Sequence, residues 1–303
     1  MPTSSLQSYT KKTNSPNYLV IHLVFYSLFR TFVAQLVCLT MNYELTIKWY
    51  DRLWAALIFF TRLPFWRIYQ PSKEAFKGVV EFWPLAGWIT AGVMAGVCYS
   101  ASMVFTYEIA VLLAIVSRLL LTGALHEDGL ADFFDGFGGG GHDRQRILDI
   151  MKDSHIGTYG VLALIIYMLL LFFALYSLQP AVAALTILAV DPYAKMVSAQ
   201  VVLMMPYART EETAKNRTVY RKFTVVEGIG LAVQGLLPIS LYLWWMQGRI
   251  DWSALIFLPC LTMYFLYIFI WRRLRGYTGD CCGALFLMTE LTAYLVVSYH
   301  FMA

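Results

Sequence analysis

The chain has 303 residues, of which 59% are hydrophobic and 14% are charged. Soluble domains carry about a quarter charged residues, so this composition excludes an ordinary soluble protein and makes lipid the main solvent. The formal net charge is only +4, and no nucleic-acid partner is expected. Helices and closed barrels are the structures that satisfy their backbone groups in a bilayer, and long continuous apolar runs favour helices.

The first 40 residues stand apart from the rest. Residues 18–39 are apolar enough to suggest a span, but they include polar side chains such as Arg30. If the two lysines before this segment were cytoplasmic, the six basic residues after it would lie outside, against the positive-inside rule. We expect either a peripheral extension or a mis-assigned start with the true one at Met41, and a signal-like segment is the third alternative. Residues 41–303 are predicted to form a single transmembrane catalytic domain.

Seven apolar segments are long enough to predict transmembrane helices. They are residues 84–105, 109–125, 160–178, 181–205, 225–246, 252–271 and 283–302. The stretch 59–77, before the first span, is expected to be partly re-entrant or interfacial. Aromatic rings near span ends favour the headgroup region and are interpreted as anchors: Trp83, Trp244, Trp245, Trp252, Trp271 and Tyr277.

Positive charge lies on one side of this arrangement. Lys and Arg are concentrated in residues 40–82, 126–159, 206–224 and 272–275, whereas the opposite loops hold Arg249 alone. Short loops rich in Lys and Arg stay cytoplasmic. The sequence therefore predicts an all-α polytopic bundle of about seven transmembrane helices, with catalytic loops that face the cytoplasm.

An acidic stripe follows the second predicted span. Asp128, Asp132 and Asp135 are at positions i, i+4 and i+7, within about 40° of one another around a helix axis. Three anions on one face repel each other unless cations join them. Carboxylates suit Mg²⁺, which completes its shell with water and substrate phosphates. The stripe therefore predicts a magnesium site for a phosphorylated substrate, and a solvated helix face is the alternative.

The residues after the stripe are less specific. The glycines at 138–141 lack the GK[ST] ending of a phosphate-binding loop and favour a flexible linker, with backbone N–H contact to an anion as the alternative. Residues 143–153 predict an amphipathic helix on the membrane surface, where Lys152 is either a phosphate ligand or a solvated charge. Three histidines are spaced too widely for a compact zinc site: His126, His142 and His155.

Three charged residues fall inside predicted spans, where such residues are usually paired or line a cavity. Asp191 and Lys195 are four residues apart and are expected to neutralise each other. Arg118 lies about 12 Å below His126 if the helix continues, so it either reaches the acidic site or pairs with Asp191. Glu127 points roughly 100° away from the stripe and is interpreted as an ordinary residue.

The chain reads TGALHEDGLADFFDG at residues 122–136 and MKDSHIGTYG at residues 151–160. These motifs, in this order, resemble the signature of the bacterial cobalamin synthases, also called adenosylcobinamide-GDP ribazoletransferases. FTRLP, FWPLAG, PYAR and TGDCCGA are similar to further blocks of the family, so the resemblance covers residues 42–303. Four positions depart from the family pattern without removing an expected metal ligand: Glu127, Phe133, Phe134 and Lys195.

The resemblance implies a Mg²⁺-dependent transfer, at the end of the lower-ligand pathway of vitamin B12, in the inner membrane of a bacterium. Adenosylcobinamide-GDP would give its phosphoryl-cobinamide half to the ribose hydroxyl of α-ribazole or α-ribazole 5′-phosphate, and GMP would leave. Asp128, Asp132 and Asp135 are then the expected metal ligands, and His126 or one of these aspartates is the general base. Six residues are expected to bind substrate or support the site: Arg62, Lys152, Asp153, Arg209, Arg217 and Asp280. Assembly with other enzymes of the pathway is a further hypothesis.

Two other functions remain as alternatives. A CDP-alcohol phosphotransferase also gathers aspartates around metal in a membrane, but its motif continues with Ala-Arg, whereas here Ala131 is followed by Asp132. An ion-coupled transporter would show internal repeats and glycine-broken helices in both halves, and the sequence shows no convincing repeat.

Overall fold

Helices provide almost all of the regular structure in the computed structural model, which describes residues 47–210 and 218–302. In chain order they are α1 (Trp49–Phe60), α2 (Trp83–Ala101), α3 (Tyr107–Thr122), α4 (Leu125–Gly139), α5 (Arg144–Lys152), α6 (Thr158–Tyr176), α7 (Pro180–Ala199), α8 (Val201–Met204), α9 (Val225–Met246), α10 (Trp252–Leu274) and α11 (Gly279–Met302). Two 3₁₀ segments, Phe65–Arg67 and Lys73–Phe82, join α1 to α2. The predictions for residues 1–40 lie outside the described residues.

Six of the described helices are long and apolar enough to cross a membrane: α2 together with the 3₁₀ turn before it, α6, α7, α9, α10 and α11. The predicted second span, residues 109–125, is broken, because α3 ends at Thr122 and the chain bends by 88° into α4. The bent pair gives a seventh span if it crosses as one unit. The predicted all-α polytopic bundle is confirmed. The main difference from the prediction is this bend between α3 and α4, which is called the elbow below.

The elbow rests on two consecutive residues in the left-handed region, Gly123 at φ 65° and Ala124 at φ 56°. Glycine adopts this conformation readily, whereas it costs alanine roughly 1–2 kcal/mol. The Arg62 backbone N–H donates to the Leu121 carbonyl at 2.7 Å. A Cβ added at Gly123 would lie 2.1 Å from Arg62 Nε. The segment after α1 therefore packs against the elbow, and the continuous helix assumed from the sequence does not form.

Helices α7 and α11 form the centre of the bundle. The buried share of the most apolar stretch is 78% in α7 and 83% in α11, against 22% in both α9 and α10. Helix α7 packs against α2, α9 and α11, while α11 also contacts α4 and α10. Large apolar side chains are exposed on the outer helices, including Ile165 and Leu169 on α6 and Phe257 and Phe265 on α10. These outer faces are suited to lipid.

A charged cluster is buried between α3, α4, α6 and α11. Arg118 donates to both Glu290 carboxylate oxygens at 2.8 Å and to the Tyr167 hydroxyl at 2.7 Å. It also donates to Glu127 Oε1 at 3.4 Å, and the Tyr294 hydroxyl donates to Glu290 at 3.0 Å. Glu127 is only 4% exposed and belongs to this buried cluster, away from the acidic stripe as predicted.

The predicted pair of Asp191 and Lys195 is confirmed on α7. The Thr90 hydroxyl donates to Asp191 Oδ2 at 2.9 Å, which joins the pair to α2. The hypothesis that Arg118 pairs with Asp191 is therefore wrong, because the Arg118 guanidinium contacts Glu290 on α11 instead.

Helix α5 is amphipathic as predicted, and its apolar side packs against the protein. Its apolar side, including Ile147 and Met151, is buried. A Cβ added at Gly136 would lie 2.7 Å from the Met151 side chain, and one at Gly140 would lie 2.4 Å from Ile147. Gly138 and Gly139 end α4, and Gly140, directly after the helix, allows the close contact with α5, so the interpretation of residues 138–141 as a linker is wrong.

Replacing Arg118 by Met is expected to lower the free energy of unfolding by about 3–5 kcal/mol, because a buried carboxylate then loses its cation. Both side chains of the pair are nearly inaccessible, at 2% for Arg118 and 0% for Glu290. Thermal unfolding in detergent measures the loss. The double variant Arg118→Met/Glu290→Leu removes the orphaned carboxylate and should recover much of the stability. A double variant as unstable as the single one would contradict this account.

Candidate active site

A pocket lies where the ends of α1 and α7 meet the beginnings of α2, α4 and α11. Four residues predicted for the site line it: His126, Asp128, Arg209 and Asp280. Lys195 also lines the pocket, although the sequence suggested only that it pairs with its neighbour on α7. The structure thus collects residues from three separate sequence motifs in one place.

Glycines bring α4 and α11 close enough to form this pocket. A Cβ added at Gly129 would lie 3.2 Å from the Asp280 backbone, and one at Gly283 would lie 3.1 Å from the His126 carbonyl oxygen. Backbone cannot move aside as a flexible side chain can, so larger residues here would separate the helices. The contact places Asp128, which is exposed, and Asp280, which is partly exposed, in the same pocket.

The three carboxylates of the acidic stripe lie in different environments. Asp135 is buried, and its carboxylate accepts the backbone N–H groups of Gly157 at 2.7 Å and Gly160 at 2.8 Å, at the start of α6. Asp135 is also about 10 Å farther along the helix axis than Asp128. Oxygens that share one Mg²⁺ lie within about 4 Å of each other. One ion can therefore take neighbours such as Asp128 and Asp132, but not all three carboxylates.

Within residues 47–210 and 218–302, no three His, Cys, Asp or Glu side chains are close enough to hold a metal ion together. Mg²⁺ is often bound through one or two carboxylates, while water and substrate phosphates fill its other positions. Asp128 and Asp280 in the pocket are such a donor set. The residues present fit a Mg²⁺ ion shared with a phosphorylated substrate better than an ion enclosed by the protein alone.

Hydrogen bonds to α5 and to the chain before α11 fix the position of Arg209. The Ala208 N–H donates to the Tyr277 carbonyl at 2.7 Å, and Arg144 Nη2 donates to the Ala208 carbonyl at the same distance. Arg209 Nη2 donates to the Leu148 carbonyl at 2.5 Å. These bonds join the PYAR segment to α5 and to the chain before α11, and they hold the guanidinium at the pocket.

Three other predicted substrate-binding residues lie outside the pocket lining in the described part of the chain. Arg62 covers the elbow, while Lys152 and Asp153 are exposed at the end of α5. The Asp153 carboxylate contacts His155 Nδ1 at 2.6 Å, and this hydrogen bond raises the pKa of His155 and lowers the pKa of Asp153. Arg217 lies outside the described residues. The roles assigned to these four residues stay predictions.

One side of the pocket is a continuous ring wall, formed by Tyr220, Trp83, Phe60, His126 and Phe286. Trp83 meets Phe60 and Tyr220 edge to face, with centroid separations of 5.9 and 5.5 Å. His126 stacks on Phe60 at 12° and 5.7 Å, and its centroid is 4.6 Å from that of Phe286. Burial raises the pKa of Tyr220, so its hydroxyl stays protonated.

The sequence did not reveal this wall. Trp83 and Tyr277 were interpreted as interface anchors, which is wrong because they are only 4% and 1% exposed. Trp244 and Trp252, at 78% and 62% exposed, do have the exposure expected of anchors. All four lie near span ends, so position alone does not distinguish a pocket from an interface. The one sequence feature that indicated a role for Trp83 in the site was its place in the FWPLAG block.

The fold and the pocket together define a polytopic membrane protein that gathers carboxylates, an arginine and aromatic rings at one site. The family profile of cobalamin-5-phosphate synthase (CobS) matches residues 52–298, and the chain belongs to this family of transferases. The predicted class of enzyme, a transferase of cobalamin biosynthesis, is confirmed.

Proteins named adenosylcobinamide-GDP ribazoletransferase are similar to the chain over most of their length. One from Leptospira interrogans is 30% identical over 259 residues, covering 84% of this chain and 97% of the relative. One from Vibrio cholerae is 32% identical, covering 80% and 91%, and one from Shewanella baltica is 33% identical, covering 82% and 93%. No solved structure matches the chain.

Replacing Asp135 by Ala is expected to destabilise the protein by about 1–2 kcal/mol, the usual effect of losing a helix cap, without raising the predicted Mg²⁺ requirement. Thermal unfolding and a Mg²⁺ titration of activity measure the two effects. Asp143→Ala is the matched control, because Asp143 caps α5 by accepting from Gln145 N at 2.9 Å and Arg146 N at 3.2 Å. A large rise in the Mg²⁺ requirement at unchanged stability would instead make Asp135 a metal ligand.

Proposed function

We propose that the protein transfers the phosphoryl-cobinamide half of adenosylcobinamide-GDP to a ribose hydroxyl of α-ribazole or α-ribazole 5′-phosphate, with release of GMP and a requirement for Mg²⁺. The names of the relatives support these substrates. The structural support is the pocket itself, which brings Asp128 and Asp280 together with Arg209 beside a wall of rings.

The proposed reaction forms one bond and breaks one. The acceptor's ribose oxygen bonds to the phosphorus that carries cobinamide, the bridge from that phosphorus to GMP breaks, and the hydroxyl proton passes to a base. Phosphoryl transfer depends mainly on positioning and charge neutralisation. Arg209 supplies a planar set of donors that suits phosphate oxygens. His126 or Asp128, which both line the pocket, accepts the proton.

Asp128 and Asp280 are the residues that would hold Mg²⁺ against the pyrophosphate. When bound, the ion would supply charge neutralisation for the pyrophosphate and its leaving oxygen. Because Asp128 is on α4 and Asp280 begins α11, binding of the ion would depend on the glycine contact between these helices. The further ligands that the sequence predicts are Asp132, one turn farther along α4, and Asp135, which is buried and accepts from Gly157 and Gly160.

Release of GMP by detergent-purified protein, given adenosylcobinamide-GDP, α-ribazole and Mg²⁺, tests the proposal. We expect release to need both substrates and the metal. Asp128→Asn and Asp280→Asn should each lower the rate by about 100-fold or more, because a metal contributes several kcal/mol to such reactions. Asp149→Asn is the control, since Asp149 is exposed on α5 and accepts from Gln145 at 2.9 Å. No release from folded wild-type protein would refute the proposal.

The pocket is further proposed to face the cytoplasm from the inner membrane of a bacterium. Arg144 and Arg209, which lie in or beside it, belong to the basic loops, whereas the turn that contains Arg249 joins the opposite ends of α9 and α10. Basic loops remain on the cytoplasmic side.

Cysteine labelling in intact cells measures this orientation. In a cysteine-depleted background, an impermeant maleimide should label Arg249→Cys in intact cells, but His142→Cys only after lysis. Both positions are exposed, so accessibility within the protein is matched. Labelling in the reverse order would show that the pocket faces away from the cytoplasm.

A further inference from the structure

The ring wall contains a polar group that nothing in the described protein satisfies. Trp83 is 4% exposed, and its indole Nε1–H is buried without a hydrogen-bond partner in residues 47–210 and 218–302. A buried donor left unpaired costs free energy, and such groups usually have a partner in protein or ordered water, so an unpaired one calls for an explanation. Since Trp83 lines the pocket, a ligand acceptor is the natural partner for this N–H.

We infer that the ring wall binds the benzimidazole base of the acceptor nucleoside, and that Trp83 Nε1–H donates to the free ring nitrogen of that base. The inference rests on the proposed function, because it assigns a place to one of the two proposed substrates. It also gives Trp83 a role in selecting the acceptor.

The shape of the base suits the wall. A methylated benzimidazole is a flat, fused and largely apolar ring, and such a ring gains from stacked or edge-to-face contact with aromatic side chains. The five rings of the wall are already in contact with one another, with successive centroids 4.6 to 5.9 Å apart. They form a preformed surface against which one more ring can pack.

The hydrogen-bonding groups also favour this base over guanine. Once one nitrogen of benzimidazole carries the ribose, the other is an acceptor and no N–H donor remains. Guanine carries an N1–H and an amino group, both of which need acceptors. The ring wall has the unpaired donor of Trp83, and its other polar groups are the Tyr220 hydroxyl and the His126 imidazole. It contains no carboxylate or carboxamide, the groups that can accept from the guanine N1–H and amino group together. An acceptor-only base therefore fits the wall without unpaired donors of its own.

The position of the wall is consistent with the proposed reaction. His126 belongs to the wall and Asp128 is two residues farther along α4, and both line the pocket. A nucleoside whose base lies on the wall can thus present its ribose hydroxyl toward the carboxylates, where the pyrophosphate would bind.

Paired ligands and paired variants test the inference. The ligands are α-ribazole and an indole analogue in which C–H replaces the free ring nitrogen, with binding to the full-length purified protein measured by equilibrium dialysis. Wild-type protein should bind α-ribazole about tenfold more tightly than the analogue, as expected for one hydrogen bond, and Trp83→Phe should bind the two equally. Trp88→Phe is the control on the same helix, because its indole N–H donates to the Gln234 carbonyl at 2.9 Å, away from the pocket. It should discriminate like wild type.

Three results would overturn the inference. The first is equal binding of both ligands by wild-type protein, a result that does not depend on the folding of any variant. The second is a full preference for α-ribazole in Trp83→Phe. A loss of GMP affinity in Trp83→Phe with unchanged α-ribazole binding would assign the wall to the guanine of the other substrate. GMP release by wild-type protein, assayed in parallel, distinguishes failure of the base site from failure of the proposed function. Release of GMP without discrimination between the two ligands refutes the base site alone. Absence of release refutes the transfer reaction.

Discussion

The contact between α4 and α11 is the constraint on which the pocket depends. Gly129 and Gly283 allow the two backbones to approach so closely that any Cβ would lie 3.1 to 3.2 Å from main-chain atoms of the other helix. Asp128 and Asp280 are next to this contact in space and come from motifs about 150 residues apart. Small residues are the usual means of close helix packing in membranes, where lipid offers no hydrophobic drive for association. Here they also fix the separation of two carboxylates.

Charges buried below the pocket hold the surrounding helices in register. Arg118 on α3 binds Glu290 on α11, and Lys195 and Asp191 on α7 form a pair that Thr90 joins to α2. In an apolar interior such groups are stable only with their partners, so sliding one helix past another would break a costly pair. Lys195 belongs both to this layer and to the pocket lining, which connects the buried pairs directly to the site.

Much of the fold could be predicted from the sequence because hydrophobic length is a strong indicator in membranes. The elbow could not, because the left-handed conformation of Ala124 has no sequence pattern and depends on the packing of Arg62 at Gly123. Helical periodicity placed Asp128, Asp132 and Asp135 on one face, but periodicity ignores distance along the axis and the groups that approach from other helices. Asp135 accepts from Gly157 and Gly160, and this contact is visible only in three dimensions.

A membrane bundle suits this site because the pocket is made of helix ends. Phe60 ends α1, Trp83 begins α2, and His126 and Asp280 lie in the first turns of α4 and α11. Ends of separate helices are mobile unless the helices are held along their length, and α7 and α11 are held on several sides by the outer helices. The apolar spans thus supply rigidity, and the polar ends supply chemistry. The bulky, polar substrates proposed for this protein would contact only these ends, so they could react at the membrane surface while the scaffold remains in lipid.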